Sequence, residues 1–259
     1  MIPIKTEDEK ESLRRSAALL IRTFQAVEKM LKPGVTTGEL DEVANDTIIA
    51  GKGLPAFKGY NGYPSTVCVS IDEQVVHGIP GKVRLRNGNL VSVDIGVNKE
   101  GLFTDAAKTY AIGGVSPEKR RLMETTYQAL HRGIQQCRKD THLSDISHLI
   151  QQFVESRGYS VVRELVGHGI GRAMHEEPQI PNFGPAHRGP KLKEGMVLAI
   201  EPMVNLGLEG IKILDDGWTV VSSDGSPSAH FEHTVLVTGG RPEILTLGID
   251  DNQSGSFNG

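Results

Sequence analysis

The sequence predicts a single α/β domain built from two halves of similar order. Three observations predict it. Apolar residues recur near the N-terminus at alternating spacings of four and three, the mark of an amphipathic helix. The order helix, helix, strands occurs once in the first half of the chain and again in the second. Apolar residues make up 38% without Gly, and the 30 Gly bring the total to about half, the ordinary globular range. No repeat is visible residue by residue. The shared order argues for one domain with pseudo-symmetric halves rather than two domains on a linker.

The first helix opens at Thr6 and Glu9, which form a capping box, and buries Leu13, Ala17, Leu20, Phe24, Val27 and Leu31 on one face. Pro33-Gly34 stops it. Thr36-Thr37 with Glu39 starts a second helix carrying Leu40, Val43 and Ile48 and ending at Gly51. Residues 51–64, rich in Gly, Pro and Tyr, read as a loop. Strand signals follow at 65–71, 90–97 and 102–111. In the second half, Ser116-Pro117-Glu118 opens a helix expected to reach about Arg138. A further helix from Ser144 carries Ile150 and Phe153 and stops at Gly158. Strand signals return at 159–165, 196–202, 209–214, 217–221 and 231–238. The expected domain is 1–247, followed by a polar tail, 248–259, expected to be frayed.

Composition narrows the function. The 28 Lys+Arg against 32 Asp+Glu leave a net charge of −4, which gives no support to nucleic-acid binding by charge. The N-terminal residues are polar and acidic, unlike a signal peptide, and no apolar stretch is long enough for a membrane span. Two Cys are too few for a disulfide scaffold or a cysteine-ligated zinc, so any metal is left to Asp, Glu and His. Two thiols without an export signal fit a reducing cytoplasm.

Carboxylates then appear where strands look buried. Asp94 and Asp105 lie in the runs LVSVDIGV and LFTDAAKTY, separated by Asn98-Lys99-Glu100-Gly101. A two-residue turn at Lys99-Glu100 would set Asp94 directly opposite Asp105, about 4.5–5.5 Å apart at Cβ. Two buried carboxylates so close repel, and a cation between them removes that cost. A longer turn would instead shift the register and send one of them to solvent. Glu201 ends the strand MVLAIEP, and Glu232 sits in FEHTVLV. Each could be a strand-end residue facing water, but an unpaired buried carboxylate is costly. His168 lies between glycines in VGHGIGR, open enough to approach a ligand closely. That Gly spacing is not a dinucleotide loop, and HEEP at His175 is not the zincin HExxH. Together Asp94, Asp105, His168, Glu201 and Glu232 form an oxygen-rich set with one imidazole. Such a set suits Mn²⁺, Fe²⁺, Co²⁺ or Zn²⁺, and five ligands suggest two metal ions.

These motifs carry a resemblance. Asp-x10-Asp, Gly-His-Gly-Ile-Gly, His-Glu-Glu-Pro, Ala-Ile-Glu-Pro and Phe-Glu-His-Thr resemble the methionine aminopeptidases, metallopeptidases of the pita-bread fold. The upstream stretch from Gly59 to Pro80 is similar too, and the likeness runs from about residue 7 to 246. It implies a curved, mostly antiparallel sheet with helices outside it. By the resemblance, Asp94 would ligate one metal ion and Asp105 and Glu232 would bridge two. His168 and Glu201 would complete the other, with Glu201 also the proton shuttle. His77 and His175 would lie near the scissile amide. On the residues alone, each is a neutral hydrogen-bonding group in a tight turn or an ordinary exposed histidine. Tyr60, Tyr63, Cys68 and Trp218, with Phe57 and Met174, would wall a pocket for the methionine side chain. The family pattern often has Cys where Phe57 stands, an aromatic at Met174 and His at Asn61, so the pocket departs from that pattern at these three positions.

The resemblance implies removal of N-terminal methionine from nascent polypeptides, with a small second residue preferred and the ribosome a possible meeting place. The chain lacks a Cys-rich extension and a large helical insertion, so it resembles the short type 1 form. A monomer is expected. Two other readings stand beside this one. Xaa-Pro aminopeptidases and prolidases share the five ligands but carry an added N-terminal domain. A pita-bread protein that binds without catalysis is the other.

Overall fold

The structure, a computed structural model, describes residues 2–251. Four α-helices bracket the two halves: α1 (Glu7–Glu28), α2 (Thr37–Ala50), α3 (Pro117–Ile134) and α4 (Leu143–Glu155). Local chemistry sets their starts. Thr6 and Glu9 exchange the two bonds of a capping box, and Thr36 and Glu39 do the same for α2. Ser116 caps α3 with Pro117 in its first turn. The third helix ends at Ile134, short of the expected Arg138, in a series of turns through Gln136 and Cys137. The fourth begins at Leu143 rather than at Ser144. His142 takes the N-cap position, and the Asp145 carboxylate accepts its backbone N–H at 3.1 Å.

The first half supplies β1 (Leu54–Pro55), β2 (Val67–Ile71), β3 (Gln74–Val76), β4 (Leu90–Lys99) and β5 (Leu102–Ala111). The second supplies β6 (Ser160–Val161), β7 (Gly167–Gly169), β8 (Glu176–Ile180), β9 (Val197–Ile200) and β10 (Met203–Asn205). It continues with β11 (Ile211–Ile213), β12 (Val220–Ser222), β13 (Ser228–His230), β14 (Glu232–Leu236) and β15 (Glu243–Ile244). A nine-stranded sheet runs β1-β4-β5-β14-β9-β7-β8, with β2 also on β4 and β15 on β14. Two three-stranded sheets, β13-β10-β6 and β11-β12-β3, complete the framework. All the described ladders are antiparallel.

The large sheet is buried on both faces, for different reasons. Val91, Val93, Ile95 and Val97 of β4 share a core with Leu20 and Phe24 of α1 and Leu40 and Ile48 of α2. The alternate residues, Ser92, Asp94 and Gly96, point to the opposite face. In the second half, Leu122 and Leu130 of α3 and Ile146 and Ile150 of α4 share a core with Leu198, Ile200 and Val235. The helices cover one face of each half, and the other face is left for polar side chains.

The β4–β5 register differs from the expected one. Lys99 pairs with Leu102, so the two-residue loop is Glu100-Gly101. Both have positive φ, 57° and 81°, as a type I′ turn requires, and glycine takes the second of these positions at little cost. Asp94 therefore faces Ala107, and Asp105 faces Gly96. Moving the loop by one residue changes each pairing by two, which keeps every side chain on its face. Asp94 and Asp105 are diagonal neighbours on one face rather than directly opposed.

The tail expectation also changes. Residues 247–250 form a 3-10 turn, Ile249 is buried, and Lys108 donates to its carbonyl at 2.6 Å. Ordering therefore extends past Gly248, and residues 252–259 lie outside the described residues. The expected loop at 51–64 contains the short strand β1 and a 3-10 turn at Tyr60–Gly62.

Candidate metal centre and substrate pocket

Sheet register alone gathers the five candidate ligands. Ala107 of β5 pairs with Asp94 on one side and with Glu232 on the other. Asp105 lies two residues along β5, on the same face. His233 pairs with Ile200, so the next step of that ladder brings Glu232 to Glu201. His168 pairs with Ala199, two residues before Glu201. Small side chains at Ala107 and Ala199 leave space between the larger polar groups.

His168 fits this row because of its neighbours. A Cβ at Gly167 would meet the Ala199 carbonyl oxygen at 2.4 Å, and one at Gly169 would meet that of Glu177 at 2.2 Å. Backbone cannot yield as a flexible side chain would. Glycine on both sides is what lets β7 enter the sheet. The His168 Nδ1–H donates to the Gly169 carbonyl at 2.9 Å, which leaves the Nε2 lone pair for the site, 3.5 Å from Glu201 Oε1.

The electrostatics call for a cation. Asp105, His168 and Glu232 are buried and offer ligand atoms within 4.8 Å of one another. Asp94 Oδ1, Asp105 Oδ1 and Glu232 Oε1 are buried with no hydrogen-bond partner among the described residues. Burial pushes the Asp94 carboxyl up to about 7. Burial and neighbouring carboxylates push Asp105, Glu201 and Glu232 well above the usual carboxylate range. Burial lowers His168 to about 3, keeping its imidazole neutral as a ligand must be. Orphaned carboxylate oxygens beside a neutral imidazole fit divalent ions of the hard or borderline class.

One cavity of about 180 Å³ joins this row to the expected substrate residues. Phe57, Tyr60, Asn61, Tyr63, Cys68, His77, Met174, His175 and Trp218 all line it, together with the five candidate ligands. Tyr63 is fixed by its hydroxyl, whose one proton is shared between the carbonyls of Val67 and Gly78, both at 3.1 Å. It meets Trp218 edge to face, 5.2 Å between centroids. Asp216 holds the Trp218 turn by accepting the N–H groups of Trp218 and Thr219, each at 2.8 Å. Cys68 is buried, and burial raises its thiol well above its ordinary value, so it is an inert wall. His175 stacks on Tyr60 and lies 2.8 Å from its hydroxyl through Nδ1. Its ring centroid is 4.2 Å from that of His168. His77 sits at φ 60°, a conformation unfavourable for a non-glycine residue and held by the flanking strand and Gly78 turn.

Two groups near the site escaped sequence reasoning. His230 is buried, its Nε2 is 3.8 Å from Glu201 Oε2, and burial lowers it to about 3. Its sequence signal was its place two residues before Glu232, in a strand too short to detect. Lys5 is the other. Its side chain is 0% exposed and its Nζ lies 2.5 Å from Glu176 Oε2. The second oxygen of Glu176 accepts the backbone N–H groups of Arg172 and Ala173. Lys5 thus anchors the segment that carries Met174 and His175. Nothing in the sequence around Lys5 announces a buried ion pair. Lys5→Met leaves Glu176 charged and buried, a loss of about 3–5 kcal/mol for a broken buried pair. The expected result is a lower melting temperature and a lower kcat with His175 misplaced. Thermal denaturation and steady-state kinetics check both.

The sequence profile of metallopeptidase family M24 matches residues 11–239, and the chain belongs to that family. Within it, the chain is 48% identical to the methionine aminopeptidase of Clostridium perfringens over 247 residues, covering 95% of this chain and 99% of that protein. It is 47% identical to methionine aminopeptidase 1 of Bacillus subtilis, covering 95% and 99% respectively. The crystal structure of methionine aminopeptidase from Thermotoga maritima superposes with a TM-score of 0.94 at 43% identity, covering 95% of this chain and 99% of that one. Prolidase from Pyrococcus furiosus shares the fold, with a TM-score of 0.74 at 20% identity, but only 65% of its chain is covered. The fold is thus the mixed, antiparallel-sheet architecture of this family, as the sequence implied.

Proposed function

We propose that this protein removes N-terminal methionine from newly made polypeptides by metal-assisted peptide hydrolysis, with a small second residue preferred. The observation that carries the reading is the row of orphaned buried carboxylate oxygens at the floor of a side-chain-sized cavity. The methionine aminopeptidase relatives, matched over nearly their whole length, support the substrate class. Asp94, Asp105, His168, Glu201 and Glu232 would hold two divalent ions, Mn²⁺, Fe²⁺, Co²⁺ or Zn²⁺. Bound ions of this kind supply carbonyl polarisation and an acidified water.

The chain's own residues do the rest. Glu201 accepts the proton of the attacking water and returns it to the leaving amine. His175 donates from Nε2 to the developing oxyanion while the Tyr60 hydroxyl donates to its Nδ1, which fixes the tautomer. His77, kept neutral by burial and by His175 nearby, hydrogen-bonds at the scissile amide. Tyr63, Cys68, Trp218, Phe57 and Met174 exclude water from around the methionine side chain.

The same reading implies a cytoplasmic monomer acting on emerging N-termini. Cys68 and Cys137 are buried and unpaired, as a reducing compartment leaves them. The deciding assay compares release of Met from Met-Ala-Ser with cleavage of an Xaa-Pro peptide at equal metal. Metal-dependent Met release is the expected outcome. Faster Xaa-Pro cleavage would shift the assignment to the proline-specific relatives, and no cleavage of either would leave a binding protein.

A further inference from the structure

A second convergence of ligand atoms lies outside the substrate cavity. His131 stands in the last turn of α3, His233 on β14, and Asp250 at the end of the 3-10 turn Leu247–Asp250. His131 Nε2 is 3.2 Å and His233 Nε2 3.1 Å from Asp250 Oδ2. One ligand atom from each of the three lies within 4.8 Å of the others. Ligands about 2.0–2.2 Å from a tetrahedral zinc sit roughly 3.3–3.6 Å apart, so both separations are within a small adjustment of a coordination edge.

A plain hydrogen-bond network accounts for part of this cluster but leaves one atom over. His233 Nε2–H can donate to Asp250 Oδ2, and the Tyr127 hydroxyl also reaches that oxygen at 3.2 Å. Among the described residues His131 Nε2 is buried without a hydrogen-bond partner, although the carboxylate oxygen is 3.2 Å away. Its distance from the carboxylate oxygen suits two ligands that share an ion. Beside it lies a cleft of about 430 Å³, lined by His131, Gln135, Arg138 and Arg241 among others. The cleft offers a way in for an ion and room for a water in a fourth position. On the far side, His233 Nδ1 lies 2.9 Å from Thr246 Oγ1. With a cation on Nε2, the Nδ1–H donates to that hydroxyl, the outer-shell contact that ligating histidines keep.

We propose that His131, His233 and Asp250 form a separate mononuclear site for Zn²⁺ that clamps α3, β14 and the C-terminal turn together. The neighbouring Lys108 contact with the Ile249 carbonyl already anchors the same turn, so an ion there would tighten a contact that exists.

The test uses the full chain with the proposed catalytic centre disabled by Asp94→Asn and Asp105→Asn. After dialysis against Zn²⁺, bound zinc is counted by mass spectrometry with and without His131→Gln, and with Asp250→Asn as a second probe. The expected result is one equivalent less zinc in each added variant, with loss of the zinc-dependent rise in melting temperature. Equal zinc content with and without these changes would overturn the site. Should a variant fold poorly, ¹⁵N NMR of the His233 ring in the zinc-loaded parent decides. Protonation at Nδ1 supports ligation through Nε2, and protonation at Nε2 in excess zinc overturns it.

Discussion

Asp105→Asn and Glu232→Gln are each expected to abolish nearly all peptidase activity while making the metal-free protein more stable. Both carboxylates are almost fully buried, and each has an oxygen with no hydrogen-bond partner among the described residues. In the proposed centre each would help to hold the metal, so either change weakens metal binding. The expected fall in kcat/KM exceeds the ~10–100-fold that loss of an outer-shell partner typically costs. Bound metal should fall with it. Stability in chelator should move the other way. An amide of the same shape removes a carboxyl whose ionised form is disfavoured in the fold, first by burial and then by Glu232 and Asp94 beside it. Metal content, kinetics and melting in chelator read the three quantities separately. Near-full turnover in either variant would remove that residue from the proposed ligand set. A lower melting temperature in chelator would show that the carboxylate has a structural role the geometry does not reveal.

The convergence of the candidate ligands was legible in the sequence because it rests on features that survive errors of register. The β4–β5 turn lies one residue later than the spacing suggested, yet Asp94 and Asp105 keep the same face because the pairing changes by two. The glycines beside His168 were visible, but their reason was not. Only the neighbouring carbonyls of Ala199 and Glu177 show that no Cβ fits. The long helices were readable from capping residues and apolar spacing. The three-residue strands β3, β7 and β13 were not, since so few residues carry no periodicity. His230 and Lys5 were missed for the same kind of reason. A buried histidine and a buried lysine become meaningful only when a partner distant in sequence, Glu201 or Glu176, is placed beside them. The C-terminal turn was misread because its composition is polar, while its order comes from the Lys108, His131 and His233 side chains that receive it.

The metal-free protein is expected to lose stability as pH rises above about 6.5, and the metal-loaded protein is not. Burial raises Asp94 to about 7 and raises Asp105, Glu201 and Glu232 further. Unfolded carboxyls titrate near ~4. The stability these groups contribute is therefore complete below that value and is lost as pH rises through their folded values. The histidines act in the opposite sense. His168 and His230 fall to about 3 in the folded state, so protonation of the unfolded chain below ~6.5 destabilises the fold as pH drops. Between ~4 and ~6.5 the two effects oppose each other. Above ~6.5 the histidines are neutral in both states, and only the carboxylates act. Each group that stays protonated when folded and ionises when unfolded costs about 1.4 kcal/mol per pH unit. For a chain of this size a loss of that order lowers the melting temperature by roughly 2–4 °C per kcal/mol. Melting in chelator from pH 6.5 to 8.5 should therefore slope downward. Bound divalent metal takes the place of the protons, so its stabilising effect should grow over the same interval. A melting temperature in chelator that stays level or rises across that range would mean that the carboxylates ionise freely without a cation. The row of orphaned oxygens on the inner face of the sheet would then have some other partner.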